Sequence, residues 1–382
     1  MQIYKCLSKK RDSKLKGDEG QVNKKALIAM SGGVDSSVAA YLMKAEGYDC
    51  IGTTMKLFDN EDIGVSREKS CCSLDDVEDA RSVAYSLGIP YYVFNFSDRF
   101  EEEVIDRFIS AYEKGITPNP CIDCNRYMKF GKLHLRAEEL GCDYVVTGHY
   151  ARVEKDADSG RYLLKKAIDG SKDQSYVLYS MTQEQLGHTR YPLGELTKTE
   201  VRRIAEEQGF INAKKRDSQD ICFVVDGDYA AFIEKRTGKT YPEGNYVDRD
   251  GNVLGRHRGI IRYTVGQRKG LGIALCRPMY VCAVNPAENT VVLGDEEELY
   301  SRELTAEDIN LISVPSIEQP IRIKAKIRYR RPETWATAVQ TDEGTLKIVF
   351  DEPQRAVTKG QAVVLYDGDI VVGGGTITDV RR

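Results

Sequence analysis

The chain has 382 residues, enough for two or three domains, with 41% apolar residues, 30% charged residues and a formal net charge of -4. This balance reads as a soluble globular protein and excludes a generic polyanion binder, so any nucleic-acid contact has to come from local patches. No apolar run approaches the roughly 18 to 20 residues of a membrane span, and the first residues lack the apolar stretch of a secretory signal.

Residues 1–23 carry Lys5, Lys9, Lys10, Arg11, Lys14 and Lys16 interspersed with Asp12, Asp18 and Glu19. The acidic residues argue against a transit peptide, and the segment reads as a disordered extension of a cytoplasmic protein. From Lys25 to about Val225, short apolar runs alternate with amphipathic helices, as in βαβ units. Ala26–Met30 is a strand, Val38–Glu46 a helix stopped by Gly47, and Cys50–Met55 the next strand. Ser73-Leu74-Asp75-Asp76 resembles a capping box, and the helix it opens carries Val77, Ala80, Ala84 and Leu87 on one face. Tyr91–Phe96 reads as a strand. Phe100, Val104, Phe108 and Tyr112 recur every four residues, the buried stripe of a helix. Tyr144–Val146 is a further strand, and Thr197 to Glu200 is a second capping box with Val201, Ile204 and Ala205 behind it. The fold class is therefore α/β, an open and mainly parallel sheet with helices on both faces, whose ligands bind at the carboxyl ends of the strands.

After about Asp226 the texture changes. Gly-bounded segments such as Asp250-Gly251-Asn252 suggest hairpins in a small linking domain over 226–281. From 282 to 382 only strands are expected: Thr290–Leu293, Ile321–Tyr329, Thr334–Gln340, Leu346–Phe350, Ala362–Tyr366 and Ile370–Ile377. A small C-terminal antiparallel β-barrel accommodates them. The α/β unit is expected to span 24–225.

The first strand runs into Ser31-Gly32-Gly33-Val34-Asp35-Ser36-Ser37 and then a helix. Glycines let the backbone approach an anion, the helix N-terminus favours negative charge, and three hydroxyls add donors. Asp35 is unfavourable beside a phosphate unless Mg²⁺ intervenes or the side chain caps the helix. The spacing is neither that of a Walker A loop nor that of a dinucleotide-binding loop.

Ten cysteines without a secretion signal point to thiol, metal or redox chemistry rather than a disulfide framework. Cys6, Cys50, Cys142, Cys276 and Cys282 stand singly and are expected to be small buried apolar residues. Cys71 and Cys72 form an adjacent pair of structural or incidental character. Cys121 and Cys124 form a Cys-x-x-Cys pair behind the rigid Thr117-Pro118-Asn119-Pro120, and Cys222 follows Asp217-Ser218-Gln219-Asp220-Ile221. A closed zinc site would need a fourth ligand such as His149. In Ile321–Arg331, strand periodicity puts Arg322, Lys324, Lys326, Arg328 and Arg330 on one face, five cations without acidic partners, which suits phosphate contact.

The seven-residue loop resembles the pyrophosphate loop (PP-loop) of the ATP pyrophosphatases, which cleave ATP between the α and β phosphates. Five further segments follow it in order. They are Thr117-Pro118-Asn119-Pro120 with Cys124-Asn125, Gly148-His149-Tyr150-Ala151-Arg152, Lys172-Asp173-Gln174-Ser175-Tyr176, Asp217-Ser218 with Ile221-Cys222-Phe223, and Tyr263 to Gly272. Together they resemble the bacterial tRNA-specific 2-thiouridylase family from about Lys24 to Arg382.

That resemblance implies ATP-dependent thiolation of the wobble uridine of tRNA by sulfur transfer. It implies ATP contacts from Ala29, Met30, Ser31 to Ser37, Met55 and Gly148. It implies tRNA contacts from Asn119, Pro120, Cys121, His149, Lys172, Asp173, Gln174, Arg328, Tyr329 and Gln361. Cys124 would be the catalytic nucleophile and Cys222 the persulfide carrier, the pair ending as a disulfide. Cys121 stands where the well-known form of the family has Asp, so a second mechanism stays open, in which Cys121, Cys124 and Cys222 hold a [4Fe–4S] cluster that delivers sulfide. The implied partners are tRNAs for Lys, Glu and Gln, with sulfur from a cysteine desulfurase or sulfur-relay protein. The rival reading is a PP-loop ligase or amidotransferase acting on a small molecule, which needs neither the cysteines nor the basic strand.

Overall fold

The computed structural model describes residues 24–58, 74–216, 221–224 and 227–381. The extension over 1–23, Cys71, Cys72 and the segment Asp217 to Asp220 lie outside the described residues.

Five parallel strands form the first sheet, in the order β3-β2-β1-β4-β7. They are β1 (Lys25–Ala29), β2 (Asp49–Lys56), β3 (Tyr91–Asn95), β4 (Tyr144–Val146) and β7 (Thr189–Arg190). Ala26, Leu27 and Ile28 of the central strand are fully buried, as a strand covered on both faces requires. Helix α1 (Val34–Ala45) buries Val38, Ala39, Leu42 and Met43 against one face, beside Ala80, Val83 and Ala84 of α2 (Leu74–Ser86). The opposite face is covered by a continuous helical stretch over 97–113, α3, whose Phe100, Val104, Phe108 and Tyr112 are all buried as the period of four requires. A second continuous stretch over 120–139, α4, packs there too. It turns π-helical at Cys124, a widening of the helix often found at functional sites. Helices α5 (Lys198–Glu207), opened by the Thr197–Glu200 capping box, and α6 (Tyr229–Thr237) follow.

The middle sheet has the order β10-β11-β8-β9, from β8 (Gly244–Val247), β9 (Val253–His257), β10 (Tyr280–Asn285) and β11 (Thr290–Gly294). The hairpin expected around Gly251 joins β8 to β9. The expected boundary after residue 281 falls inside β10, because β11 pairs in parallel with β8 and draws 280–294 into this sheet. Six antiparallel strands then close a barrel: β12 (Tyr300–Leu311), β13 (Ile321–Lys326), β14 (Thr334–Asp342), β15 (Thr345–Arg355), β16 (Ala362–Asp367) and β17 (Ile370–Arg381). Pairing of β12 with β17 completes the ring. Ile323, Ala325, Ala336, Ala338, Ile348 and Phe350 fill its interior. A hairpin of the α/β unit, β5 (Ala151–Lys155) and β6 (Tyr162–Lys166), continues the barrel sheet through β17, so the two units share hydrogen-bonded structure. Cys50, Cys142 and Cys282 are buried as expected, whereas Cys276 is exposed because it lies in an irregular loop of the middle unit.

Candidate active site

Helix α1 starts where β1 ends, and Gly33 stands at its N-cap without a side-chain hydrogen bond. The first N–H groups of a helix have no partner within it and here face the loop. Gly32 has φ +73, and a Cβ there would lie 2.3 Å from the carbonyl oxygen of Asp76, so only glycine fits. A Cβ on Gly148, at the carboxyl end of β4, would lie 2.8 Å from the backbone nitrogen of Ser36. Ser36 and Ser37 both donate to the Gly33 carbonyl, at 3.0 and 3.1 Å. Asn212 closes the loop from the far side of the sequence, donating through Nδ2 to Gly32 O and Ser37 Oγ, each at 2.9 Å. Lys215 bridges Asp76 and Asp79 at 2.6 Å each, which fixes the end of α2 that backs Gly32.

Asp35 neither caps the helix nor stands alone. Its carboxylate accepts from Lys198 Nζ at 2.8 Å on both oxygens and from the Tyr150 hydroxyl at 2.8 Å. Sequence reasoning offered a metal or a cap for this group and missed Lys198. The only available signal was its place in the first turn of α5, directly after the N-cap Thr197.

Cys121 is exposed, and Cys124 and Cys222 border one hydrophobic cluster. Ala29 and Met55 from the strand ends, with Cys124 and Cys222, all pack against it half-buried. Cys222 is positioned by its neighbour: Phe223 inserts among Phe100, Phe108 and Phe232, with ring centroids 5.7, 5.2 and 5.2 Å apart. Pro120 occupies the first turn of the helix that carries Cys121 and Cys124, and Asn125 is held by donation to the Val177 carbonyl at 3.0 Å. Among the described residues, no group of His, Cys, Asp and Glu ligand atoms lying within 4.8 Å of one another includes Cys121, Cys124 or Cys222. Between the two helical cysteines, burial pushes the Asp123 carboxyl up to about 6, against the opposing pull of Arg107 and Arg126.

The residues expected at the RNA divide into two sets. Tyr329 is exposed over about a third of its surface, and has Lys326 over its ring at 5.7 Å. Lys172 is half-buried on the loop before Asp173. The others brace the site from within. Asp173 accepts from Ala167 N, Ser175 N and Ser175 Oγ, and Gln174 accepts from Tyr150 N at 2.9 Å. Gln361 of the barrel donates to the carbonyls of Thr117 and Pro118, at 2.9 and 3.0 Å, and so fixes the turn that carries Asn119 and Pro120. His149 is buried, with Thr147 Oγ1 at 2.7 Å from Nδ1 and Lys129 at 3.4 Å from Nε2. Burial, aided by Lys129, holds its pKa well below the ordinary value, so it is a neutral and packed residue in this structure.

The five-cation face needs the same correction. The strand ends at Lys326, and Arg328 turns inward, donating to Val265 O, Ala356 O and Thr358 Oγ1. Arg322 pairs with Asp351 at both carboxylate oxygens, so the row is not without acidic partners. Positive charge is instead concentrated in a cleft of about 740 Å³ lined by Arg258, Arg262, Arg268, Lys269 and Arg328, one wall of which is the Thr264–Gly270 segment. Only Arg262 among them has a carboxylate partner among the described residues, Glu234. No helix among the described residues is long and apolar enough to cross a membrane.

The sequence matches the family model of the tRNA methyl transferase HUP domain over residues 24–226. It also matches the tRNA methyl transferase PRC-barrel domain over 230–295 and the aminomethyltransferase beta-barrel domain over 301–377. It is 57% identical over 356 residues to the tRNA-specific 2-thiouridylase MnmA of Clostridioides difficile, covering 93% of this chain and 98% of that one. The enzyme of the same name from Acetivibrio thermocellus is 56% identical over 93% of this chain and 99% of its own. That of Clostridium acetobutylicum is 51% identical, over 93% and 100%.

Proposed function

Because the chain belongs to the tRNA-specific 2-thiouridylase family, we propose that it spends ATP to replace the C2 oxygen of a tRNA wobble uridine with sulfur. The observation that carries this reading is the meeting of two chemistries on one cluster. Ala29 and Met55, at the strand ends beside the nucleotide loop, and the two cysteines Cys124 and Cys222 border the same hydrophobic core.

A carbonyl oxygen is a poor leaving group until it is adenylated. In the first step the uridine O2 attacks the α-phosphate of ATP and pyrophosphate departs, received by the N–H groups of Gly32, Gly33 and the first turn of α1. Asp35, neutralised by Lys198, keeps its charge off the phosphates. With Asp35 paired to Lys198, any Mg²⁺ that accompanies ATP would supply charge neutralisation at the phosphates with little help from this carboxylate. In the second step the terminal sulfur of a Cys222 persulfide attacks C2 and AMP leaves. The Cys124 thiolate then attacks Cys222 Sγ, the S–S bond breaks toward the base, and 2-thiouridine is released with a Cys124–Cys222 disulfide left behind. A thiol reductant resets the pair, and a cysteine desulfurase or relay protein reloads Cys222.

The presence of Cys121 one turn before Cys124 favours a second reading of the sulfur step. Cys121, Cys124 and Cys222 are thiolates of the kind that hold a [4Fe–4S] cluster by three ligands, with Cys124 and Cys222 at one core and Cys121 exposed beside them, and such a cluster would supply bound sulfide in place of the persulfide. On either reading the tRNA is gripped by Lys172, Tyr329 and the basic cleft of the middle unit. The acceptors we assign are the Lys, Glu and Gln tRNAs, in the cytoplasm.

The test is pyrophosphate release together with thiolation. Wild type should release pyrophosphate only with tRNA. Cys222→Ser should keep that release and lose thiolation; release driven instead by ammonia or an amino acid would establish the ligase reading. Anaerobic purification with iron and sulfide analysis, alongside Cys121→Asp, separates the two sulfur steps. An iron-free and active Cys121→Asp protein excludes the cluster.

A further inference from the structure

Of the four histidines in the chain, His134 and His188 meet at a place that takes no part in the site above. His134 lies on the last segment of α4, four residues before Glu138, so the two share a helix face. Glu184 and His188 repeat the spacing in reverse order, the first within the short helix Gln183–Gly187 and the second as its C-cap residue. The two i,i+4 pairs face each other. Ligand atoms of His134, Glu138 and Glu184 all lie within 4.8 Å of one another, with His134 Nε2 at 3.7 Å from Glu138 Oε1. The His188 ring stands 5.8 Å from that of His134.

We propose that His134, Glu138 and Glu184, with His188 closing the shell, form a binding site for a borderline divalent transition metal of the Zn²⁺ class. Three observations support it beyond proximity. First, the two carboxylates meet at a single imidazole, and neither has a lysine or arginine partner among the described residues. Two like charges converging this way repel unless a cation lies between them, and a divalent ion balances both. Second, the histidines are prepared as ligands. His188 Nδ1 is 3.1 Å from the carbonyl oxygen of Asp143, which only accepts, so Nδ1 bears the hydrogen and Nε2 keeps its lone pair for a metal. The His134 side chain is 13% exposed and so is oriented by packing rather than by solvent. Third, the scaffold is rigid. Thr182 and Gln185 form a capping box on the short helix, and Gln185 Nε2 also donates to the Phe130 carbonyl of α4 at 2.7 Å, which locks the two ligand-bearing segments together. Zinc bonds of about 2.0 to 2.2 Å bring ligand atoms about 3 to 3.5 Å apart, and the Glu138 and Glu184 side chains cover the remaining distance by rotation.

The metal would staple α4 to the edge of the parallel sheet. His188 immediately precedes β7, and Asp143, its hydrogen-bond acceptor, immediately precedes β4. The site thus lies at the amino ends of those strands, opposite the nucleotide loop at the carboxyl end of β1. Its role is structural, and the proposal does not depend on the sulfur chemistry above.

The test is a Zn²⁺ titration by calorimetry of the metal-stripped, full-length chain with its thiols alkylated, repeated with Co²⁺ as a spectroscopic probe. One equivalent of metal should bind, and the Co²⁺ form should show ligand-field bands without sulfur charge transfer. Glu184→Gln, on an exposed side chain, should fold normally, keep tRNA thiolation, and weaken metal binding by at least about tenfold. His134→Ala should weaken it further. No bound equivalent in the alkylated wild type, or equal affinity in wild type and Glu184→Gln, overturns the assignment.

Discussion

Replacing Lys198 with Met keeps the aliphatic stem and removes only the charge that neutralises Asp35. The ammonium lies 2.8 Å from both carboxylate oxygens, at 11% side-chain exposure for Lys198 and 31% for Asp35. At an effective dielectric of about 20, a pair about 3 Å apart attracts by about 6 kcal/mol. Desolvation offsets much of this, and the exposed third of Asp35 screens more, leaving about 2 kcal/mol. In Lys198→Met that energy appears as repulsion between an unneutralised carboxylate and the phosphates one turn away. The KM for ATP should rise roughly 30-fold, since each 1.4 kcal/mol is about a factor of ten. The assay is tRNA-dependent pyrophosphate release at saturating tRNA with ATP varied. Asp35→Asn removes the offending charge, so Lys198→Met/Asp35→Asn should bind ATP better than Lys198→Met alone. A KM within twofold of wild type for Lys198→Met, or strictly additive effects in the double variant, refutes the reasoning.

Three other outcomes follow from the same geometry. Asp123 has a folded pKa of about 6, above the ordinary 3.8, so the fold favours its protonated form. Below about pH 4 the group costs nothing; as pH rises through about 6 the folded state bears a buried charge, at about 3 kcal/mol near neutrality. Asp123→Asn should therefore raise Tm near neutral pH and leave it unchanged near pH 4, as thermal melts across that range will read. Gln361→Ala removes two donors from the Thr117–Pro118 turn, worth about 1 kcal/mol each. It should lower kcat for thiolation roughly tenfold with the KM for ATP unchanged; a change confined to that KM would contradict the bracing role. Asn212→Ala unties Gly32 and Ser37 from one buried donor, and the KM for ATP should rise about tenfold at unchanged kcat.

What the sequence disclosed was whatever lay contiguous along it. The Ser31–Ser37 loop, the period-four stripe from Phe100 to Tyr112 and the capping box at Thr197 each show a cause and its effect within a dozen residues. Lys198 on Asp35, Asn212 on Gly32 and Gln361 on Pro118 join positions 163, 180 and 243 residues apart, and nothing local marks them. The barrel strand shows how a correct period can mislead. Alternation from Ile321 to Lys326 is real, but the backbone leaves the strand there, and counting on to Arg328 put an inward-facing side chain on the outer face. His149 was open to two readings because a histidine beside a glycine suits a ligand site and a packed turn alike. The buried contact with Thr147 shows the packing, which no local signal announced.

These long-range bonds also change what the barrel is for. An RNA-binding module on a tether would touch the α/β unit lightly, yet here the contacts concentrate on the segments that carry the cysteines. Gln361 holds the Thr117–Pro118 carbonyls, the Thr117 N–H donates to Lys359 O at 3.1 Å, and Arg126, two residues after Cys124, pairs with Asp308 of β12. Tyr176 donates to Ala362 O at 2.9 Å, and Asn310 donates to the carbonyls of Tyr179 and Met181. The strand pairing of β6 with β17 adds backbone continuity to this interface. On the tRNA contact proposed for Tyr329, a surface that also fixes the turn before Cys121 would tie substrate contact to the placement of the sulfur-bearing residues. The barrel is thereby a brace for the segments that carry Cys121 and Cys124, and the order of its strands is part of how those residues are placed.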